Sequence, residues 1–203
     1  MLKHSDLADI AATVYRPAWS NTVAGDVHAA LLPRDGEIVV ALPGTHPDDA
    51  LDWLRDARFL PTRVRGIGLV HEGFGLGARA EWVRIAPILS TDKLITFTGH
   101  SLGGSLALCL AGILAYERPG ARFRVVVFAP ARVAFLNPWF HRLLAAGVEA
   151  VIYAVPGDIV PGLPFWPWYT HGARTTHIGV NRLDELENHA VAQFAPMLRA
   201  RGL

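Results

Sequence analysis

A serine flanked by glycines is the residue best placed for chemistry in this sequence. Residues 99–103 read GHSLG, a G-x-S-x-G pattern that follows a predicted strand and opens a predicted helix. A serine on such a sharp turn needs neighbours without a Cβ atom, so that its hydroxyl can project into a cleft. The first N–H groups of the helix point to the same place, so the Leu102 N–H is expected to stabilise an oxyanion. The pattern therefore predicts that Ser101 is a nucleophile.

A serine nucleophile needs a histidine that accepts its proton and a carboxylate that orients the imidazole ring. In enzymes with this strand–turn–helix nucleophile, the acid and then the base follow the serine along the chain. Asp158 directly follows an apolar predicted strand, which puts it at the carboxyl edge of the sheet, where open α/β sheets bind ligands. Asp158 is therefore the expected acid, and a turn aspartate without a catalytic role is the alternative. Glu149 is a weaker candidate because it precedes the same strand.

Three histidines, His171, His177 and His189, follow Asp158 in the sequence. His189 precedes the last predicted helix, and a histidine at the start of this helix can be delivered to the carboxyl edge of the sheet. His177 lies in a short predicted strand, where the period of two decides which way its side chain points. We expect His189 to be the base, with His177 as the alternative, and His100 to be scaffold beside the nucleophile.

The elements around these residues alternate between apolar strands and helices, which is typical of a mostly parallel sheet with helices on both faces. A turn cluster at 33–37 between two β-rich segments predicts an antiparallel hairpin near the N-terminus. The length of 203 residues predicts a single domain spanning 1–203. The predicted helices cover residues 7–14, 47–59, 78–89, 102–116, 138–146 and 188–199. The predicted strands cover residues 27–32, 38–42, 94–98, 124–128, 151–155 and 174–180.

Composition argues against several classes of function. Hydrophobic residues make up 51% of the chain and charged residues 18%, so a large core is available. The 19 basic and 18 acidic residues form no basic stripe, so no nucleic acid is expected as a partner. Cys109 is the single cysteine and is expected to be a buried hydrophobe. Neither His71 nor any other histidine or carboxylate has metal-ligand spacing, so neither a metal nor a cofactor is expected.

The sequence also predicts where the chain resides. Residues 1–9 carry charges where a signal peptide would need an apolar stretch. Residues 94–116 are largely apolar, but a polar turn interrupts them, and the helix from Ser101 would span about 24 Å against a hydrocarbon core of about 30 Å. We therefore expect no transmembrane segment and a cytoplasmic protein, with release by lysis or specialised secretion as alternatives.

Several segments agree in order and spacing with one known family. Residues 99–104 read GHSLGG, and the other matching segments are GT at 44–45 with DW at 52–53, VHEGF at 70–74, FAPARV at 128–133 and DIVPGLP at 158–164. In these segments the chain resembles the class 3 lipase family, the fungal triacylglycerol lipase-like esterases of the α/β-hydrolase superfamily. It departs from the family at Pro43, where arginine is usual.

The resemblance implies a serine carboxylic-ester hydrolase of α/β-hydrolase fold, which acts on acyl lipids or short-chain esters through an acyl-enzyme intermediate. It implies that Asp158 is the acid and His189 the base of the triad. It further implies that the backbone N–H groups of Thr45 and Leu102 form the oxyanion hole. A phospholipase A-type hydrolase and a catalytically silent binding module are the alternatives.

Aromatic residues near these positions are the candidates for substrate binding. Trp53 lies in the predicted surface helix 47–59 and is expected at the mouth of the site. Phe165 and Trp166 follow Asp158 in a proline-rich loop and suit an acyl chain, with a role in the core or in docking a lid as the alternative. The expected partner is a small acyl ester or a lipid, with transient contact at a lipid interface.

Overall fold

The computed structural model of the protein describes residues 1–15, 29–34, 36–44, 60–136, 148–164, 168–171 and 173–203. The helices predicted at 47–59 and 138–146 lie outside these residues. Five α-helices are described: α1 (His4–Thr13), α2 (Glu72–Ile85), α3 (Leu102–Glu117), α4 (Glu185–His189) and α5 (Phe194–Arg199). The described strands are β1 (Ala30–Arg34), β2 (Glu37–Leu42), β3 (Pro61–Val64), β4 (Gly68–His71), β5 (Leu94–His100), β6 (Phe123–Phe128), β7 (Ala134–Phe135), β8 (Glu149–Ala154), β9 (Tyr169–Thr170) and β10 (Thr175–His177).

Six of these strands form the main sheet, in the order β1-β2-β5-β6-β8-β10. β1 and β2 pair antiparallel as the predicted hairpin, and each strand from β2 onward is parallel to its neighbour. Parallel strands all end at the same edge. The strand that precedes Ser101 and the strand that precedes Asp158 therefore end on one side of the sheet. The predicted α/β fold with a mostly parallel sheet and an N-terminal hairpin is confirmed.

The strands are apolar because helices cover both faces of the sheet. Along β6, Val125 and Val127 pack with α2 and α3, whereas Val126 and Phe128 pack with α1 and α5. This alternation follows the two-residue period of a strand. The result is two hydrophobic layers, one on each side of a central sheet.

A second sheet of four antiparallel strands, in the order β3-β4-β7-β9, was not predicted. Its strands are two to four residues long, too short for their hydrophobic alternation to stand out. Val64, Val70 and Ala134 from this sheet pack in the same cluster as Val40 and Phe97 of the main sheet. The second sheet therefore extends the core on the side of α2 and α3.

Two of the described helices differ markedly from the prediction because of local packing. α2 begins at Glu72 rather than at 78, and its first turns contain glycines that weaken the sequence signal. A Cβ atom on Gly75 would lie 2.6 Å from Val70 Cγ2, so glycine is what lets the helix approach β4. The predicted last helix is divided into α4 and α5, because Ala190 is extended at φ −62° and ψ 124°. None of the described helices combines the length and apolar character needed to span a membrane.

A buried ion pair ties the chain together at the amino edge of the main sheet. Arg124 and Glu37 are each 2% exposed, and Arg124 Nη2 donates to Glu37 Oε1 at 2.8 Å. Arg124 also donates to the Thr96 hydroxyl and to the Leu2 carbonyl, and the Leu2 N–H donates to Glu37. Burial by itself would raise the pKa of Glu37, but the hydrogen bonds from Thr96, Leu2 and Arg124 and the charge of Arg124 outweigh it and lower that pKa. The pair joins three strands to the N-terminal segment.

We expect Glu37→Leu to lower the free energy of unfolding by about 3–5 kcal/mol, because it leaves the buried Arg124 charge with only the longer ion pair to Glu149, at 3.6 Å. Denaturant unfolding at pH 7 measures this. The double variant Glu37→Leu/Arg124→Met should recover most of the loss, because it removes both charges together.

The same pair predicts a pH dependence. The folded pKa of Glu37 is lowered, so its contribution to stability is present above the unfolded value of about 4.3 and is lost as the pH falls through the folded pKa. The stability difference between wild type and Glu37→Leu should therefore shrink in acid. A difference that stays constant at all pH values would contradict this role of the carboxylate.

Candidate active site

Ser101 lies on a sharp turn between β5 and α3. Its backbone has φ 55° and ψ −126°, a left-handed conformation that costs energy for a residue other than glycine. The Ser101 N–H donates to the Phe128 carbonyl at 3.0 Å, which ties the turn to the end of β6. The residue is 3% exposed. Such stored strain is typical of a functional position, because the surrounding packing must enforce it.

Two glycines make this turn possible. A Cβ atom on Gly103 would lie 2.1 Å from the Leu42 carbonyl oxygen, and one on Gly99 would lie 2.6 Å from the Gly103 carbonyl carbon. No other residue type fits at such distances. The first turn of α3 therefore rests directly on the backbone at the end of β2. Leu102 is the first residue of α3, so its N–H belongs to the group at the helix N-terminus that lacks an intrahelical partner.

Asp158 and His189 are brought together from different segments of the chain. Asp158 lies in the turn after β8, and His189 is the last residue of α4. His189 Nδ1 lies 2.9 Å from Asp158 Oδ2, and their side chains are 5% and 0% exposed. The other carboxylate oxygen, Oδ1, accepts from the Val160 N–H at 3.0 Å. The acid is therefore held by its own turn while it accepts from the histidine.

This hydrogen bond determines which nitrogen of His189 is available. A carboxylate only accepts, so Nδ1 carries the proton and Nε2 of the neutral ring is an acceptor. Nε2 is buried, and it has no hydrogen-bond partner within the described part of the chain. The His189 ring centroid lies 4.5 Å from that of His100, the residue before Ser101. An unpaired acceptor thus lies in the neighbourhood of the serine turn, without a hydrogen bond to Ser101.

The rival candidates lie elsewhere. His177 is exposed on β10, at the edge of the main sheet. His171 is buried, donates from Nε2 to the Pro161 carbonyl at 3.0 Å, and has its pKa lowered to about 4 by burial. Glu149 begins β8 at the opposite edge of the sheet from Ser101 and pairs with His4 at 2.9 Å. Of the predicted residues, the described structure brings Asp158 and His189 together.

Four predicted site residues, Thr45, Trp53, Phe165 and Trp166, lie outside the described residues. Cys109 is buried in α3, and burial raises the pKa of its thiol to about 12, so it is a core residue. Among the residues that the structure describes, no three histidine, cysteine or acidic side chains are grouped to hold a metal.

Side-chain amides that the sequence analysis did not single out hold the segment that carries His189. Asn188 is 1% exposed, accepts from the Arg182 N–H at 3.0 Å and donates to Asn181 Oδ1 at 3.0 Å. Gln193 Nε2 donates to the Glu187 and Asn188 carbonyls at 2.8 and 2.7 Å. These amides have no characteristic spacing, so the sequence contains no signal that would have identified them.

The same amides also contact the turn of the acid. A Cβ atom on Gly157 would lie 2.4 Å from Asn181 Oδ1 and 2.7 Å from Asn188 Nδ2. Gly157 has φ 87°, a conformation that favours glycine. The residue before Asp158 and the residue before His189 are therefore packed against each other, which fixes the distance between the acid and the histidine.

The sequence also matches a known protein family. The sequence pattern of the family described as Lipase (class 3) matches residues 39–168. No protein among those with curated functions matches the chain.

Several solved structures have a similar fold. The triacylglyceride lipase of Rhizomucor miehei is 20% identical with a TM-score of 0.72, and the alignment covers 86% of this chain and 78% of that one. The Lip2 lipase of Yarrowia lipolytica is 24% identical with a TM-score of 0.63 over 74% of this chain, which spans 60% of that protein. A triacylglycerol lipase whose catalytic centre is formed by a serine protease triad is 21% identical, with a TM-score of 0.59 and coverages of 77% and 63%. At these identities the likeness is one of fold.

The backbone contact at Gly103 predicts the effect of adding one methyl group. Gly103→Ala must push α3 away from the Leu42 carbonyl, and a displacement of about 1 Å should slow labelling of Ser101 by a fluorophosphonate on the order of 100-fold. A time course of labelling measures this rate.

Two other glycines provide matched controls. A Cβ atom on Gly104 would lie 3.1 Å from its nearest neighbour, the Gly99 carbonyl oxygen, so Gly104→Ala should have a much smaller effect. Gly162 has nothing within 4 Å of an added Cβ, so Gly162→Ala should label at the wild-type rate. Equal labelling of the Gly103 and Gly162 variants would contradict the proposed constraint.

Proposed function

Because the chain belongs to the class 3 lipase family, we propose that it hydrolyses carboxylic esters with Ser101 as nucleophile, His189 as base and Asp158 as acid. The observation that carries the proposal is the buried Asp158–His189 pair, whose free Nε2 acceptor lies next to the strained serine turn. The substrates proposed are acyl lipids and short-chain esters.

In the first half of the reaction, Ser101 is acylated. His189 Nε2 takes the proton from Ser101 Oγ while Oγ forms a bond to the carbonyl carbon of the ester. The histidine becomes positively charged, and the Asp158 carboxylate at Nδ1 stabilises that charge. The carbonyl oxygen becomes an oxyanion, for which the N–H groups of Leu102 and Thr45 are the proposed donors.

In the second half, the acyl-enzyme is hydrolysed. When the tetrahedral intermediate collapses, the bond to the alcohol breaks and His189 returns its proton to the leaving oxygen. A water molecule then attacks the acyl carbon with His189 again as base, and Ser101 is regenerated with its proton. The reaction consumes an ester and a water molecule and releases an alcohol and a carboxylic acid.

Exposed apolar side chains on the segments around the acid and the histidine support a lipid-like substrate. Leu183 is 93% exposed at φ 63° on the loop that leads to His189, and Ile159 is exposed next to Asp158. Trp168 and Leu136 are also exposed, on segments joined by a hydrogen bond from the Leu136 N–H to the Trp168 carbonyl. Exposed apolar groups that lie together are typical of surfaces that bind partners or membranes. We propose transient contact with a lipid interface here.

The acyl chain itself is proposed to contact Trp53, Phe165 and Trp166. Phe165 and Trp166 follow directly after Pro164, which the chain places a few residues beyond Asp158. Aromatic side chains bury large apolar areas, so they suit the hydrocarbon part of an ester. The length of acyl chain that they favour would distinguish a short-chain esterase from an enzyme for long-chain lipids.

The proposed activity predicts that the wild type hydrolyses p-nitrophenyl esters and that Ser101→Ala does not. Loss of the nucleophile should lower kcat on the order of 10⁶-fold, with an unchanged melting temperature. Rates are measured for acyl chains from C2 to C16, below and above the solubility limit of each ester. A rise above that limit supports interfacial contact.

The outcomes of this experiment separate the alternative functions. Hydrolysis of phospholipids in preference to neutral esters would favour a phospholipase A-type enzyme. A wild type that neither hydrolyses any ester nor reacts with a fluorophosphonate would be a silent binding module. Activity in Ser101→Ala would overturn the assignment of the nucleophile.

The assignment of the base and the acid predicts a contrast between paired variants. His189→Ala should lose several orders of magnitude in kcat, whereas His177→Ala should be near wild type because its side chain is exposed at the sheet edge. Asp158→Asn should lose on the order of 10⁴-fold, since an amide favours the wrong tautomer of the imidazole. Glu149→Gln is its control at the opposite edge. If His177→Ala is inactive and His189→Ala is active, the base is His177 rather than His189.

A further inference from the structure

We propose that Tyr15 and His100 are positioning residues, which hold the histidine base and the oxyanion turn in register with the nucleophile. The inference rests on the proposed function, in which His189 is the base and the turn after Gly44 supplies an oxyanion donor. Neither side chain is proposed to contact the substrate. Both act through the backbone of other residues.

His100 holds the backbone of the proposed base. It is the last residue of β5 and is 3% exposed. His100 Nε2 lies 2.7 Å from the carbonyl oxygen of His189, and a carbonyl can only accept, so Nε2 carries the proton. The bond therefore links the residue before Ser101 directly to the main chain of His189. The segment turns at this point, because Ala190 is extended.

Tyr15 completes the hydrogen bonding of His100. With Nε2 protonated, Nδ1 of a neutral ring is an acceptor, so the Tyr15 hydroxyl at 2.9 Å donates to it. Burial holds the pKa of His100 well below its usual value, and the nearby His189 lowers it further. The lowered pKa favours the neutral ring, which has the one donor and one acceptor that this pattern requires. A neutral neighbour also does not oppose the positive charge that His189 gains during the reaction.

The Tyr15 hydroxyl also contacts the end of β2. The Gly44 N–H donates to the tyrosine oxygen, and burial raises the pKa of the phenol, which stays protonated. A Cβ atom on Gly44 would lie 2.1 Å from the Tyr15 oxygen and 2.9 Å from the His100 carbonyl oxygen, so only glycine fits. Gly44 directly precedes Thr45. One hydroxyl group therefore joins the chain entering the oxyanion turn to the end of the nucleophile strand.

Together the two side chains connect three segments that are distant in the sequence. The series runs from the Gly44 N–H through the Tyr15 hydroxyl and the His100 ring to the His189 carbonyl. Packing alone would not require these particular polar atoms, because phenylalanine or leucine fills a similar volume. Burying polar groups is costly unless each is paired, and here the two outer pairings fall on the backbone of Gly44, which precedes Thr45, and of His189. This is what distinguishes positioning from filling of the core.

The test compares Tyr15→Phe and His100→Gln with the wild type on a soluble p-nitrophenyl ester. Tyr15→Phe removes one oxygen and leaves the Gly44 N–H and His100 Nδ1 unpaired. We expect kcat to fall about 10- to 100-fold, as for a small misplacement of catalytic groups, while KM changes less than about twofold. Affinity for a boronic acid, which mimics the tetrahedral intermediate, should fall in parallel with kcat. His100→Gln keeps an N–H near the Nε2 position and should retain more activity than His100→Leu.

Two controls separate positioning from stability. Tyr116→Phe removes a hydroxyl that accepts from Arg65 on the surface and should leave kcat unchanged. Active sites are counted by titration with a fluorophosphonate, and kcat is expressed per titrated site. A loss confined to the number of sites or to the melting temperature, with unchanged kcat per site, would mean a structural role and overturn the proposal.

The remaining outcomes are also decisive. Wild-type kcat and boronate affinity in Tyr15→Phe, or equal activity of His100→Gln and His100→Leu, overturn positioning and leave the proposed function intact. If Tyr15→Phe does not fold, the comparison of the two His100 variants decides. An inactive wild type, unlabelled at Ser101, overturns the proposed function, and the positioning role falls with it.

Discussion

The geometry of the site depends on one contact between two backbones, that of the first turn of α3 with the Leu42 carbonyl at the end of β2. Glycine at 103 permits the contact, because a Cβ atom there would lie 2.1 Å from that oxygen. The contact leaves Ser101 in a left-handed conformation and turns the N-terminal N–H groups of α3 toward the carboxyl edge. It also puts Gly44 next to the end of β5. The serine turn, the N-terminus of α3 and Gly44, which precedes the proposed oxyanion turn, thus depend on the same contact.

The acid and the histidine depend on contacts of a different kind. They lie on segments that β9 and β10 separate along the chain, and polar side chains connect those segments. Asn188 packs against Gly157. The Gln193 side-chain amide donates to the Glu187 and Asn188 carbonyls, so these groups keep hydrogen bonds although α4 ends at His189. The hydrogen bonds of buried amides are directional, so they specify a geometry that apolar packing alone leaves loose.

Local signals explain what the sequence could predict. The central strands of the main sheet and α3 have long apolar runs, and GHSLGG carries its own backbone requirement, so both could be located. The second sheet could not, because β7 and β9 have two residues each and gain strand geometry only from their neighbours. The amides at 181, 188 and 193 and Tyr15 were missed because their roles arise from distant pairings. Asp158 and His189 were selected by chain order and resemblance, and the structure supplies their 2.9 Å separation.

The two sheets have a consequence for how the chain can vary. Their strands interleave along the sequence: β3 and β4 precede β5 and β6, β7 precedes β8, and β9 precedes β10. No single division of the described chain gives two pieces that each contain all the strands of one sheet. The smaller sheet therefore cannot be gained, lost or exchanged as one contiguous segment of sequence. An insertion in β7 or β9 alters the path of the chain toward β8 or β10, and so toward the acid or the histidine. Architecture and active site are obliged to evolve as one unit.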